Sequence, residues 1–118
     1  LEKVKAHVGD VDFAVQPELV SLLSSRNFGR YADEKGEMKV CFISNNDITG
    51  GNSGSAMFNS KGELLGLAFD GNWEAMGSDI LYEPKMQRTI GVDVRYILFM
   101  IEKYGKAGNL IKELNIIN

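Results

Sequence analysis

The stretch Thr49-Gly50-Gly51-Asn52-Ser53-Gly54-Ser55 constrains this chain more than any other, because a serine framed by glycines between two β-prone runs calls for a tight turn. Before it, residues 38–44 give a β-rich run containing Val40, Cys41, Phe42 and Ile43. After it, residues 55–58 read as a short strand, residues 59–62 as a turn and residues 63–69 as a second strand, which together make a hairpin. Glycine at these positions leaves the serine hydroxyl and the neighbouring N–H groups unobstructed. A loop of this kind can form an oxyanion hole, with the backbone N–H groups of Gly51 and Ser53 as donors. Glycine-rich loops are most often simple turns, so the flanking elements have to decide.

Residues 1–16 fit no single element, although Val11, Phe13 and Val15 suit extended structure late in the stretch. Pro17 opens a short helix carrying Leu19, Val20, Leu22 and Leu23, which stops near Asn27 and Gly29. Residues 31–36 read as an exposed turn. Residues 70–85 form a long loop, residues 88–92 a strand, and Val94, Ile97, Leu98 and Ile101 fall at helical spacing up to a stop at Gly105. A last short helix is expected over residues 109–114. The division is a lead-in with a short helix (1–37), a β-barrel portion carrying the loop (38–93) and C-terminal helices (94–118). The fold class is therefore mainly β with C-terminal helices. A G-x-S-x-G elbow would require a helix directly after the serine, and here a hairpin follows. β-run, glycine-framed serine, hairpin and terminal helix is instead the order of the second barrel of chymotrypsin-like proteases.

Composition narrows the partners. With 118 residues, 44% hydrophobic and 25% charged, the chain is an ordinary globular domain, and a net charge of −3 without a Lys/Arg cluster argues against nucleic acid or an anionic membrane surface. No apolar run approaches the ~20 residues of a membrane span, and no leader pattern is visible. The start at Leu1 suggests a piece of something longer. Cys41 is the only cysteine, which excludes an internal disulfide, and its apolar neighbours predict a buried, inert thiol. Glu74, Asp79 and Glu83 lack metal-ligand spacing, so neither a metal nor a cofactor is expected.

Residues 46–55 (NDITGGNSGS), 62–76 (GELLGLAFDGNWEAM), 87–90 (QRTI) and 92–96 (VDVRY) closely resemble the C-terminal region of the bacterial dipeptidyl-peptidase 7 and 11 family of serine exopeptidases. The resemblance implies the second half of a chymotrypsin-like double β-barrel, interrupted in the parent by a large helical domain. It also implies release of dipeptides from the free N-terminus of peptides, in the periplasm or at the cell surface, by an enzyme that can be a homodimer. Ala56 stands where the family pattern has proline. By the same resemblance Ser53 is the nucleophile, Gly51 and Ser53 are the oxyanion donors, and Phe69, Asp70 and Gly71 bind substrate, with Asp70 holding the free ammonium. No asparagine here matches the second ammonium anchor, which the family carries on its helical domain. Glycine at 71, where the Asp/Glu-cutting branch has arginine, implies an uncharged pocket for an apolar or aromatic residue before the cut.

Two rival readings remain. Asp47, six residues before Ser53, occupies the offset of a trypsin-like acidic pocket floor, although an isolated Asp in a turn is commonly a local acceptor. The other rival is a non-catalytic, protease-like module that only holds peptide termini. Asn52 replaces the aspartate of trypsin-like loops and removes activation by a new N-terminus. Trp73 reads as packed in the core or loop, or on the pocket rim, and Arg95 and Tyr96 as structural. A serine needs a base, and the lone histidine, His7, lies 46 residues upstream with no room for a first barrel, so it reads as a surface residue. The catalytic His and Asp are expected from the N-terminal barrel half of the parent. The isolated chain is then expected to be inactive, with exposed edges and apolar faces prone to self-association.

Overall fold

Antiparallel pairing organises the middle of the chain into a four-stranded sheet of order β1-β4-β3-β2, where β1 is Cys41–Ser44, β2 Ala56–Phe58, β3 Leu64–Gly71 and β4 Thr89–Asp93. This computed structural model describes residues 2–77 and 80–117. Two units can be distinguished, one formed by Met38–Ile97 and one by residues 2–37 with 98–117.

The two inner strands hold the sheet together. β3 pairs with β4 from Gly66↔Asp93 to Gly71↔Thr89, and every other residue of β4 is buried. Glycine is required on these strands for close approach. A methyl group on Gly66 would lie 2.0 Å from the Val92 carbonyl oxygen and 2.8 Å from the Phe42 ring. One on Gly91 would lie 2.8 Å from both the Phe42 ring and the Met57 sulfur. Phe42 thus lies over both glycines and packs β1 onto the inner strands. The β2–β3 hairpin closes through Asn59, whose side-chain oxygen accepts from the N–H groups of Lys61 (2.9 Å) and Glu63 (3.0 Å). Gly62 completes that turn at φ +77°.

The edge position of β1 overturns the expectation for Cys41. Phe42 and Ser44 are half-buried, whereas Cys41 and Ile43 point to the opposite face and are exposed. A strand alternates its side chains, so only one face of this edge is covered. The long loop expected over residues 70–85 is also shorter. β3 runs on through Gly71, and Trp73–Gly77 forms a 3-10 helix. Asp79, one of the scattered acidic residues, lies outside the described residues.

At the end of β4 the buried Asp93 caps the helix Val94–Phe99. Its Oδ1 accepts from the Arg95 backbone N–H and Nε, both at 2.9 Å, and its Oδ2 accepts from Nη2 at 2.6 Å. Burial pushes the Asp93 pKa up, but the hydrogen bonds and charge of Arg95, with the charge of Lys39, outweigh it and hold the carboxyl below its usual range.

In the other unit the stretch left undecided forms a short helix, Glu2–Ala6, and a 3-10 turn, Val11–Phe13. The extended run anticipated there is replaced because Asp10 accepts from the Asp12 N–H at 3.0 Å and caps the turn. Helix Pro17–Ser24 begins at its proline as expected. Tyr31, read as part of an exposed turn, is instead buried. Its ring and that of Phe28 meet Phe99 edge-on at 6.2 and 5.8 Å, and its hydroxyl donates to Glu102 at 2.5 Å. After Phe99 the chain makes a π-helical turn, Met100–Tyr104, closed by Gly105 N–H donating to the Met100 carbonyl at 2.8 Å. The left-handed residue that ends it is Lys106 (φ +54°), not Gly105, and helix Gly108–Lys112 follows. Among the described residues no helix is long and apolar enough to cross a membrane.

Gly66→Ala drives a methyl group into the backbone of β4, an overpacking of about 1–3 kcal/mol. Hydrogen exchange of the β3 and β4 amides in the full-length protein should quicken about 5- to 150-fold. Gly108→Ala, which meets nothing within 4 Å, should leave it unchanged.

Candidate functional site

The loop before β2 is shaped by its own polar atoms. The Asn52 side-chain oxygen accepts from the Thr49 N–H at 2.9 Å, while the backbone N–H of Asn52 donates to the Thr49 carbonyl at 3.2 Å. Ser55 N–H closes the next turn on the Asn52 carbonyl at 2.9 Å. Gly51 and Gly54, at φ +95° and +87°, take left-handed conformations that other residues enter only at a cost of about 1–2 kcal/mol.

β3 fixes where this loop points. Gly54 N–H donates to the Ala68 carbonyl at 2.7 Å, and Ala68 N–H donates to the Ser55 carbonyl at 2.9 Å. The β3–β4 register then shifts between Ala68 and Asp70, which leaves Phe69 as the extra residue of a bulge. The Ser53 hydroxyl donates to the carbonyl of that bulged residue at 3.4 Å, and Ser53 itself is exposed. At the loop's start, the buried Thr89 donates its hydroxyl to the Asn46 carbonyl at 2.6 Å, and the Tyr82 hydroxyl donates to the Asn45 carbonyl.

The cleft so formed has a volume of about 260 Å³. Its polar wall is Thr49, Gly50, Asn52, Ser53, Asp70 and Asn72; Ile48, Phe69, Ala75 and Met76 supply apolar surface, and Gly71 supplies only backbone. Four of the five residues singled out in the sequence, Ser53, Phe69, Asp70 and Gly71, therefore line one cavity. Gly51 is the exception, lying one residue off the lining. Among the described residues, the N–H groups of Gly51 and Ser53 meet no acceptor. Asp70 engages one oxygen, which accepts from the Gly71 N–H at 2.8 Å.

Other candidates fall elsewhere. Asp47 is exposed and does not line the cleft, which does not favour the trypsin-like reading of it: the turn that brings Ile48 and Thr49 to the lining leaves Asp47 outside. Trp73, expected to pack, is 81% exposed and also off the lining, whereas Ala75 and Met76 of the same 3-10 helix border the cleft. His7, in the other unit, is exposed, stacks on Phe13 with ring centroids 4.3 Å apart and lies 3.9 Å from Asp10. Among the described residues no cluster of three or more His, Cys, Asp or Glu could hold a metal.

The sequence reading missed Asn72 and Ala75. Asn72 clamps the cleft's far end: its side chain donates to the Met86 carbonyl at 2.9 Å and accepts from the Arg88 N–H at 2.8 Å, and its N–H donates to the Arg88 carbonyl at 2.9 Å. An Asn directly after a glycine at a strand end was the available signal. Ala75 lies on a single short turn that no periodicity announces.

The sequence profile of the Peptidase S46 family matches residues 1–116. The chain belongs to the peptidase S46 family. Dipeptidyl-peptidase 7 of Porphyromonas endodontalis is 62% identical over 106 residues, which cover 90% of the chain and 13% of that relative. The Asp/Glu-specific dipeptidyl-peptidase of Capnocytophaga gingivalis, also similar, is 49% identical over 109 residues, 92% of the chain and 15% of the relative. Among solved structures, Porphyromonas endodontalis DPP11 in complex with the dipeptide Arg-Glu superposes with a TM-score of 0.87 at 44% identity, over 96% of the chain and 16% of DPP11. The four-stranded antiparallel sheet and its helices thus match one part of a DPP11 structure, and the chain spans 13–16% of the length of these S46 relatives.

Thr89→Val keeps the volume of this S46 site but removes the donor to Asn46, a net loss of about 0.5–1.5 kcal/mol. Limited proteolysis within residues 45–55 of the full-length protein should accelerate by about 2- to 12-fold, and Thr89→Ser, which keeps the hydroxyl, should stay near wild type.

Proposed function

We propose that this chain is the nucleophile-bearing part of a serine dipeptidyl-peptidase, corresponding to the second half of a chymotrypsin-like double barrel. Its parent would release dipeptides from the free N-terminus of peptides in the periplasm or at the cell surface, with an apolar or aromatic residue before the cut. The observation that carries this is the convergence of Ser53, Asp70 and Gly71 on one cleft beside the N–H groups of Gly51 and Ser53, which meet no acceptor among the described residues.

In this reading the Ser53 oxygen attacks the carbonyl carbon of the second substrate residue. A histidine from the parent's N-terminal half takes the hydroxyl proton and passes it to the leaving amine. The tetrahedral oxygen, negative at that moment, is met by the two N–H groups, which have no acceptor among the described residues to give up. Water then cleaves the acyl ester, and the dipeptide leaves. Asp70 is the only charged residue on the lining among the described residues, and its carboxylate suits the substrate's ammonium. With no cation at 71 to pair with an acidic side chain, the apolar surface of Ile48, Phe69, Ala75 and Met76 favours an apolar one. The higher identity to dipeptidyl-peptidase 7 than to the Asp/Glu-specific relative supports that preference. Among the described residues the Ser53 hydroxyl meets a backbone carbonyl and no base, which supports a reading in which catalysis draws on the rest of the parent.

A fluorophosphonate probe should label Ser53 in the full-length protein, and Ser53→Ala should abolish labelling and lower kcat by about 10⁴- to 10⁶-fold. The 118-residue chain alone should remain unlabelled. A folded, full-length protein that resists the probe would instead be a peptide-binding module.

A further inference from the structure

Gly71 is not a glycine that its backbone demands. Its φ lies outside the left-handed region, where Gly51, Gly54 and Gly62 are found. What keeps a side chain off residue 71 is a single methyl group: a Cβ built there would stand 2.9 Å from the Cβ of Ala75, while its next neighbour, the Arg88 carbonyl oxygen, is at an ordinary 3.6 Å. Carbon atoms make contact at about 3.5–4.0 Å, so the two positions cannot both carry a Cβ without a shift.

Ala75 cannot easily yield. A Cβ has no rotamer with which to swing aside, so relief needs backbone movement. The backbone at 75 is held, because Ala75 N–H donates to the Asn72 carbonyl at 3.0 Å and Asn72 is pinned to Met86 and Arg88 by three further hydrogen bonds. Ala75 also lines the cleft.

We infer that Ala75 is a specificity-determining residue, which acts by excluding any side chain from position 71 and thereby keeps a cation out of the cleft. The inference rests on the proposed reading of residue 71 as a wall of the substrate pocket. Conversion to a pocket for Asp or Glu then requires two changes together: a cationic side chain at 71 and the loss of the methyl group at 75. With Ala75 in place, an arginine at 71 displaces the 3-10 helix or is deflected, and the guanidinium does not reach the position from which it could pair with a substrate carboxylate.

The test uses the full-length enzyme in four forms: wild type, Gly71→Arg, Ala75→Gly and the double variant. Each is assayed for kcat/KM on two dipeptide-fluorophores that differ only in having Leu or Glu as second residue. Gly71→Arg alone should lose the Leu substrate and gain less than about 3-fold on Glu, whereas the double variant should gain at least about 10-fold more on Glu than the product of the single effects. A Glu gain from Gly71→Arg alone equal to that of the double variant would overturn the inference. A second readout, independent of catalysis, is the loss of hydrogen-exchange protection over residues 70–76 caused by Gly71→Ala. That loss should fall by half or more in the Ala75→Gly background, and equal losses in the two backgrounds would also overturn it. If the exchange coupling appears but no variant alters the Leu/Glu ratio, residue 71 does not face the substrate; that result overturns the pocket reading, and the specificity role of Ala75 falls with it.

Discussion

Two backbone hydrogen bonds between the glycine-framed loop and β3 position everything else at the site. Gly54 to Ala68 and Ala68 to Ser55 add the loop to the sheet edge and bring residue 53 alongside the bulge at Phe69. The bulge matters because it changes which side chains of β3 face the cleft. After the extra residue, Asp70 and Gly71 resume pairing with Ile90 and Thr89, and Phe69, Asp70 and Gly71 all border the same cavity. A regular strand would alternate them across its two faces.

The rigidity behind this arrangement comes from glycines used for approach rather than for turning. Gly66 and Gly91 let the Phe42 ring and the β4 backbone close onto β3, which holds the inner strands that carry the site. Thr89 belongs to the same frame: it pairs with Gly71 across the sheet and its hydroxyl holds Asn46. One buried residue thus touches both sides of the cleft, its side chain at the start of the glycine-framed loop and its backbone beside Gly71.

Much of the site was legible in the sequence because its signals are local. The glycine-framed serine, the Asn59–Gly62 turn and the strands on either side follow from turn chemistry within a few residues. The cleft's far wall was not legible. Ala75 and Met76 border the cleft from a 3-10 helix whose preceding residue, Asn72, is tied to residues 86–88, a contact between segments more than ten residues apart. The errors at Cys41 and Tyr31 have a similar origin. Apolar neighbours suggested burial for Cys41, but an edge strand covers one face only, and Tyr31 is buried by Phe99, 68 positions later in the chain. Residues 11–13 turned because of one Asp10 cap, a tertiary-independent signal that the pattern of valines concealed.

The decisive measurement is a structure of the full-length protein after reaction with a dipeptidyl phosphonate bearing an apolar second residue. The account predicts phosphorus bonded to the Ser53 oxygen, with the phosphoryl oxygen about 2.7–3.1 Å from the nitrogens of both Gly51 and Ser53. The inhibitor's ammonium should lie against Asp70 and its second side chain against Gly71. Phosphorus attached elsewhere, or a phosphoryl oxygen turned away from those two N–H groups, would contradict it.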